Sequence, residues 1–146
     1  MRLKAQSAEF DGTFAIPVKT SKIVFILKLS GFRVGLEPDI GFLIGQSISG
    51  FCQSLLEKTP YSDCIWAVHP GGKAILEVIE KKMALEKPQI AATWNVYENN
   101  GNMSSATILF ILEEVYKRRH ETNLKKVISL AFGPGLAMEG MTLKLM

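Results

Sequence analysis

Of the two histidines in this 146-residue sequence, His69 stands where chemistry is commonly done. It closes the short apolar run Cys64–Val68 and opens the turn His69-Pro70-Gly71-Gly72. Ligand and catalytic groups favour the carboxyl ends of strands in α/β sheets, and glycines there let backbone or ligand approach closely. The plainer reading is a histidine hydrogen-bonded to a loop carbonyl, and the HPGG run by itself leaves both open. Asn102 is the second candidate, in Gly101-Asn102-Met103-Ser104-Ser105. Asn is a preferred helix N-cap. A helix N-terminus also concentrates N–H donors and positive potential, where an amide NH₂ can stabilise a developing oxyanion. Asn102-Met103-Ser104 reads as a glycosylation sequon too, which the absence of a leader-like N-terminus argues against. The third element is Ala131-Phe132-Gly133-Pro134-Gly135, which taken alone is a tight turn between two strands.

Other reactive side chains read as structural. Cys52 lies on the apolar stripe of a helix and Cys64 opens a strand, so both suit a core better than nucleophilic work. His120 sits in a charged run, Lys117 to Glu121. Trp66 and Trp94 read as core. No Walker loop, HExxH, paired CxxC or metal-suited carboxylate cluster occurs, so neither metal nor cofactor is expected.

The elements that must position these residues follow from patterning. Lys22–Leu29 reads as a strand, and Phe32, Val34 and Leu36 as its hairpin partner. Ile44, Ile48, Phe51, Cys52, Leu55 and Leu56 recur at helical spacing. Cys64–Val68 reads as a strand buried on both faces. Ala74–Leu85 reads as an amphipathic helix, Ile90–Trp94 as a strand, and Asn99-Asn100-Gly101 as a turn. Met103–Arg119 reads as one long helix, apolar all round from Ala106 to Leu112 and therefore buried on every side. Val127–Phe132 and Met138–Leu145 read as strands. Helices alternating with strands predict an α/β domain, a mixed sheet packed against helices.

Composition bounds the function. The apolar fraction is 47% and the charged fraction 21%, which excludes a disordered chain. Lys and Arg total 17 against 14 acidic residues, a net charge of +3, too weak and too scattered for a nucleic-acid footprint. Two cysteines do not make a disulfide scaffold, so a reducing, cytoplasmic setting is expected. Met1–Gly12 has no apolar core of a signal peptide. The uncharged stretch Ile40–Leu56 is rich in Gly, Ser and Gln and falls short of a membrane span. The length fits one domain, residues 1–146.

Taken together, the three elements resemble type III polyketide synthases, the chalcone and stilbene synthase family. Trp66-Ala67-Val68-His69-Pro70-Gly71-Gly72 with Ala74-Ile75-Leu76 is similar to that family's histidine motif. Gly101-Asn102-Met103-Ser104-Ser105-Ala106 is similar to its asparagine motif, and Phe132-Gly133-Pro134-Gly135 to its C-terminal glycine-rich loop. Ketoacyl synthases also use His and Asn, and a ketoacyl-CoA synthase fragment is the alternative within enzymes. The resemblance covers about Ala5 to Leu145 and implies the C-terminal half of a thiolase-like fold with His69 and Asn102 from a Cys-His-Asn triad. The nucleophilic cysteine belongs to the other half, and neither Cys52 nor Cys64 falls on a matching motif. The implied activity is acyl transfer, decarboxylative condensation of malonyl-CoA with a starter acyl-CoA in flavonoid and polyketide synthesis, by a homodimer. The isolated chain is expected to be inactive. A non-catalytic relative that binds a full-length homologue is the alternative.

The resemblance also implies substrate contacts at Val34, Ser104, Phe132, Gly133 and Pro134. Val34 falls where the family usually has a gatekeeper phenylalanine, and Ile16 near a usual glycine, so pocket shape departs from the family pattern. Ala131 stands in place of a glycine, and residues 20–30 have no counterpart and read as an insertion.

Overall fold

The computed structural model describes residues 39–133 and 136–146, together with the backbone of strands at 13–15, 23–28 and 31–36. In chain order the elements are β1 (Thr13–Ala15), β2 (Ile23–Lys28), β3 (Gly31–Leu36), α1 (Ile40–Leu56), β4 (Cys64–Val68), α2 (Lys73–Met83), α3 (Lys87–Asn100), α4 (Thr107–Lys117), β5 (Lys126–Gly133) and β6 (Ala137–Lys144). One sheet has the order β1-β6-β5-β4, and β2 and β3 form a separate antiparallel pair. Only β4 and β5 are parallel; β6 runs antiparallel to both β5 and β1. The expected mixed α/β architecture is therefore present. The expected hairpin is β2–β3, and β2 occupies most of the stretch read as an insertion. Met1–Gly12, Ile16 and Pro134 lie outside the described residues, as does the side chain of Val34.

Alternation along β4 builds two cores. Cys64, Trp66 and Val68 face one cluster with Ile44, Ile48, Leu76 and Ile79 from α1 and α2, joined by Ile128 and Leu130 of β5. Ile65 and Ala67 face the other, with Ala92 and Val96 of α3 and Ile111 and Val115 of α4. A short strand apolar on both faces gains burial on each side. Gly140 of β6 marks where α1 comes closest: a Cβ there would collide with Leu55, Leu130 and Phe51.

Several expectations fail, among them the turn at Asn99-Asn100-Gly101, whose first two residues are the end of α3. Ile90–Trp94 is not a strand but the middle of α3. Five residues, four of them apolar, have no decisive period. The overlooked signal lies just upstream, in Glu86-Lys87-Pro88-Gln89. Pro88 suits a first helical turn, and the Gln89 Oε1 accepts the Glu86 N–H at 2.9 Å, half of a capping box. The helix expected over Met103–Arg119 is also shorter. Ser104 has φ of +60°, a left-handed conformation that no α-helix contains, so a 3₁₀ turn at Ser104–Ala106 precedes α4. Nor is the first half of α4 buried all round: Leu109 is 65% and Phe110 48% exposed. Among the described residues, no helix is long and apolar enough to cross a membrane.

Candidate functional site

His69 directly follows β4. Its N–H donates to the Leu130 carbonyl at 2.7 Å, and its carbonyl accepts the Gly71 N–H at 3.0 Å. The first bond extends the parallel ladder one residue beyond the strand, so the imidazole leaves from a backbone held by β5. His69 is half-buried, and burial holds its imidazole below the ordinary value of 6.5. The neutral ring is thus the resting form, as expected for a base that loses water without gaining a counter-charge.

Asn102 follows α3. Gly101 ends that helix with φ of +67°, a conformation that favours glycine, and its N–H donates to the Tyr97 carbonyl at 2.8 Å. The Asn102 Oδ1 accepts the Ser104 N–H at 2.9 Å. This is an Asx turn and not the α-helix N-cap expected there. The Met103 N–H instead meets the Thr107 Oγ1 at 2.7 Å. With its oxygen occupied by backbone, the Asn102 carboxamide keeps its two N–H donors as the groups it can offer a ligand. Asn102 and Ser104 are both exposed.

Topology sets these pieces at one end of the sheet. Gln89 of α3 binds the Cys64 carbonyl at the start of β4, and Thr93 binds Trp66 and Val68 near its end. Helix and strand therefore run in the same direction. The remaining turns of α3 carry Gly101 and Asn102 about 10 Å beyond Thr93, at 1.5 Å per residue. That is the carboxyl end of β4, where His69 stands. Because β5 is parallel to β4 and pairs Val68 with Leu130, Phe132 and Gly133 also lie at this end, half-buried. A surface concavity of about 510 Å³ lies between α2 and α3, beside Lys73, Trp94 and Glu98, and one of about 380 Å³ between Lys125, Lys126 and Lys144; neither is lined by His69 or Asn102.

The cysteines are poor nucleophiles where they stand. Both are free and fully buried. Burial, with a smaller contribution from Cys64, pushes the Cys52 thiol up to about 12. Burial raises Cys64 as well. A thiolate is the reactive form, and both sites disfavour it. Among the described residues, no group of three or more His, Cys, Asp or Glu side chains could hold a metal ion.

Residues 10–146 match the family of chalcone and stilbene synthases, C-terminal domain. The chain belongs to this family. It is 37% identical over 138 residues to Probable polyketide synthase 1 of Dictyostelium discoideum, covering 89% of this chain and 4% of that protein. It is 34% identical over 122 residues to Type III polyketide synthase A of Arabidopsis thaliana, covering 78% and 31%. The C-terminal type III polyketide synthase domain of Steely1, a type I/III hybrid from Dictyostelium, superposes with a TM-score of 0.81 at 36% identity, covering 90% of this chain and 38% of that one. A type III pentaketide synthase from Neurospora crassa gives 0.84 at 28% identity, covering 92% and 40%. This chalcone synthase-like chain thus has the C-terminal portion of a thiolase-like fold, and spans well under half the length of these relatives.

Gln89 and Thr93 are the residues that reading the sequence misses. Both are buried polar side chains on α3, inside or beside the stretch misread as a strand. Glu86-Lys87-Pro88-Gln89 would have placed them on a helix.

Proposed function

We propose that this chain supplies the His-Asn half of a type III polyketide synthase site, which condenses a starter acyl-CoA with malonyl-CoA. The nucleophilic sulfur comes from outside these 146 residues. A cysteine thiolate attacks the starter thioester, forming the acyl-enzyme and releasing CoA as its thiol. Malonyl-CoA then loses CO₂, and its electron pair becomes the thioester enolate. That enolate attacks the acyl-enzyme carbonyl and expels the cysteine thiolate. His69 paired with the thiolate becomes imidazolium and lowers the sulfur's pKa. The imidazole and the Asn102 amide donate to the enolate oxygen. Ser104, Phe132 and Gly133 line the substrate path in this reading.

The observation that carries the proposal is the shared end of the sheet: His69 follows β4 and Gly133 ends β5 there, α3 runs along β4 toward the same end before Asn102, and both cysteines are sealed in the core. The test is release of CO₂ and CoA from malonyl-CoA with a starter thioester. The chain alone is expected to be inactive, and a separately expressed cysteine-bearing N-terminal segment is expected to restore turnover. In the restored enzyme, His69→Ala and Asn102→Ala each lower the rate by about 10²–10³. Turnover by the chain alone would refute the absence of a nucleophile, and full activity of both variants would refute their roles.

A second reading, a non-catalytic partner of a full-length homologue, is favoured by Leu109 and Phe110 standing in the open on α4. Adjacent exposed apolar side chains mark association surfaces. A stable monomer on size exclusion that does not co-elute with the homologue would count against it.

A further inference from the structure

We propose that Gln89 and Thr93 are positioning residues that lock α3 in register along β4 and thereby set the separation between His69 and Asn102. The proposal rests on reading those two as partners in one site.

Among the described residues, β4 is the terminal strand of its sheet. A strand edge presents unpaired N–H and C=O groups, and here α3 meets them with side chains. The Thr93 Oγ1 accepts the Val68 N–H and donates to the Trp66 carbonyl, both at 3.0 Å. The Gln89 Nε2 donates to the carbonyls of Cys64 at 3.1 Å and Tyr61 at 2.8 Å. Its Oε1 meanwhile holds the start of α3 through Glu86. Thr93 is fully buried, so each lost bond would leave a buried backbone group unpaired, which costs more than the bond itself contributes.

These are two fixed points on one rigid helix, one at each end of the strand. Val68, held by Thr93, is the residue before His69. Asn102 lies just past the other end of the same helix. A slip of α3 along β4 would move Asn102 relative to His69 by the same distance. Burial by apolar contact alone tolerates sliding, whereas directional bonds to alternate carbonyls do not. A second helix packed by Ala92 and Val96 alone would cover β4 equally well without fixing that distance.

The experiment is NMR on the intact chain, in which the two histidines give separable titrations. Thr93→Val keeps the shape and removes both bonds; Gln89→Leu tests the other fixed point should Thr93→Val not fold. Ile79→Val in α2 is the control for simple loss of stability. The expected result for Thr93→Val has three parts. The His69 titration moves up toward 6.5 as water enters, the Asn102 side-chain amide resonances shift, and the Val68 amide loses exchange protection. Thr93→Ser restores all three, and Ile79→Val lowers Tm without moving any. A folded Thr93→Val or Gln89→Leu protein with unchanged His69 titration and Asn102 resonances would overturn the proposal. None of these readouts needs substrate or the missing sulfur, so an inactive complemented enzyme would count against the proposed function alone.

Discussion

Beneath α1 and α2, Ile44, Ile48, Leu76 and Ile79 are sealed from solvent, with Cys52 and Cys64 among them. Across the sheet, α4 buries Thr107, Ile111 and Val115 but leaves Leu109 and the adjoining Phe110 largely open. α1 has its own exposed aromatic, Phe42, and the residue after it, Leu43, packs against the core. One face is closed by residues of this chain, and the other carries adjacent exposed apolar side chains. The more open face is built by α3 and α4, the helices that flank Asn102.

The largest expected contrast is chemical. With its thiol pushed up to about 12, Cys52 is about 10⁻⁴ thiolate at pH 8. In the native chain it should react with a thiol reagent only through unfolding, while a cysteine placed by Leu109→Cys reacts at once. Equal labelling rates at the two positions would break the comparison.

A smaller contrast is energetic. Ile48→Ala should cost about 2–5 kcal/mol through lost burial and the cavity left behind. Leu109→Ala should change stability by less than about 0.5 kcal/mol, as exposed substitutions do. Urea unfolding of the two variants decides it. A large cost at Leu109 would mean that α4 is covered by this chain after all. Leu109→Ser with Phe110→Ser should reduce self-association on size exclusion and leave the urea midpoint nearly unchanged.

The contrast also explains what could be read beforehand. α1, α2, β4, β5 and β6 were legible because each buries its own apolar residues against partners within the chain, and period reports burial directly. α4 misled for the complementary reason: an all-round apolar stretch says that something covers it, without saying whether the cover is local. His69 and Asn102 stood out through the glycines and turns beside them. Gln89 and Thr93 did not, because an amide and a hydroxyl on a helix have no signature until the strand edge they complete is known. α3 itself reads as β-structure from the five residues Ile90–Trp94 taken alone, although Pro88 and the capping pair Glu86 and Gln89 mark its start.

The smallest contrast is one of pH. On the sealed face burial holds the Cys52 and Cys64 thiols protonated, whereas His69, half-buried at the carboxyl end of β4, is held below 6.5 by burial. As pH falls through 6.5, the unfolded chain binds a proton on this ring that the folded chain still refuses. Stability therefore drops with falling pH in that window. It levels off once pH passes below the folded pKa and both states are protonated. Above 6.5 both states are neutral and the contribution is flat. Carboxylates titrate lower and overlap the acid limb, so the informative quantity is the difference between the native chain and His69→Gln. Thermal unfolding from about pH 7.5 to 5.5 should show the native chain losing Tm more steeply than the variant. Parallel curves would mean that the imidazole is already hydrated or paired. Adding the cysteine-bearing segment should reverse the sign: a thiolate beside the ring favours imidazolium, so in the complex mild acid would no longer destabilise through His69.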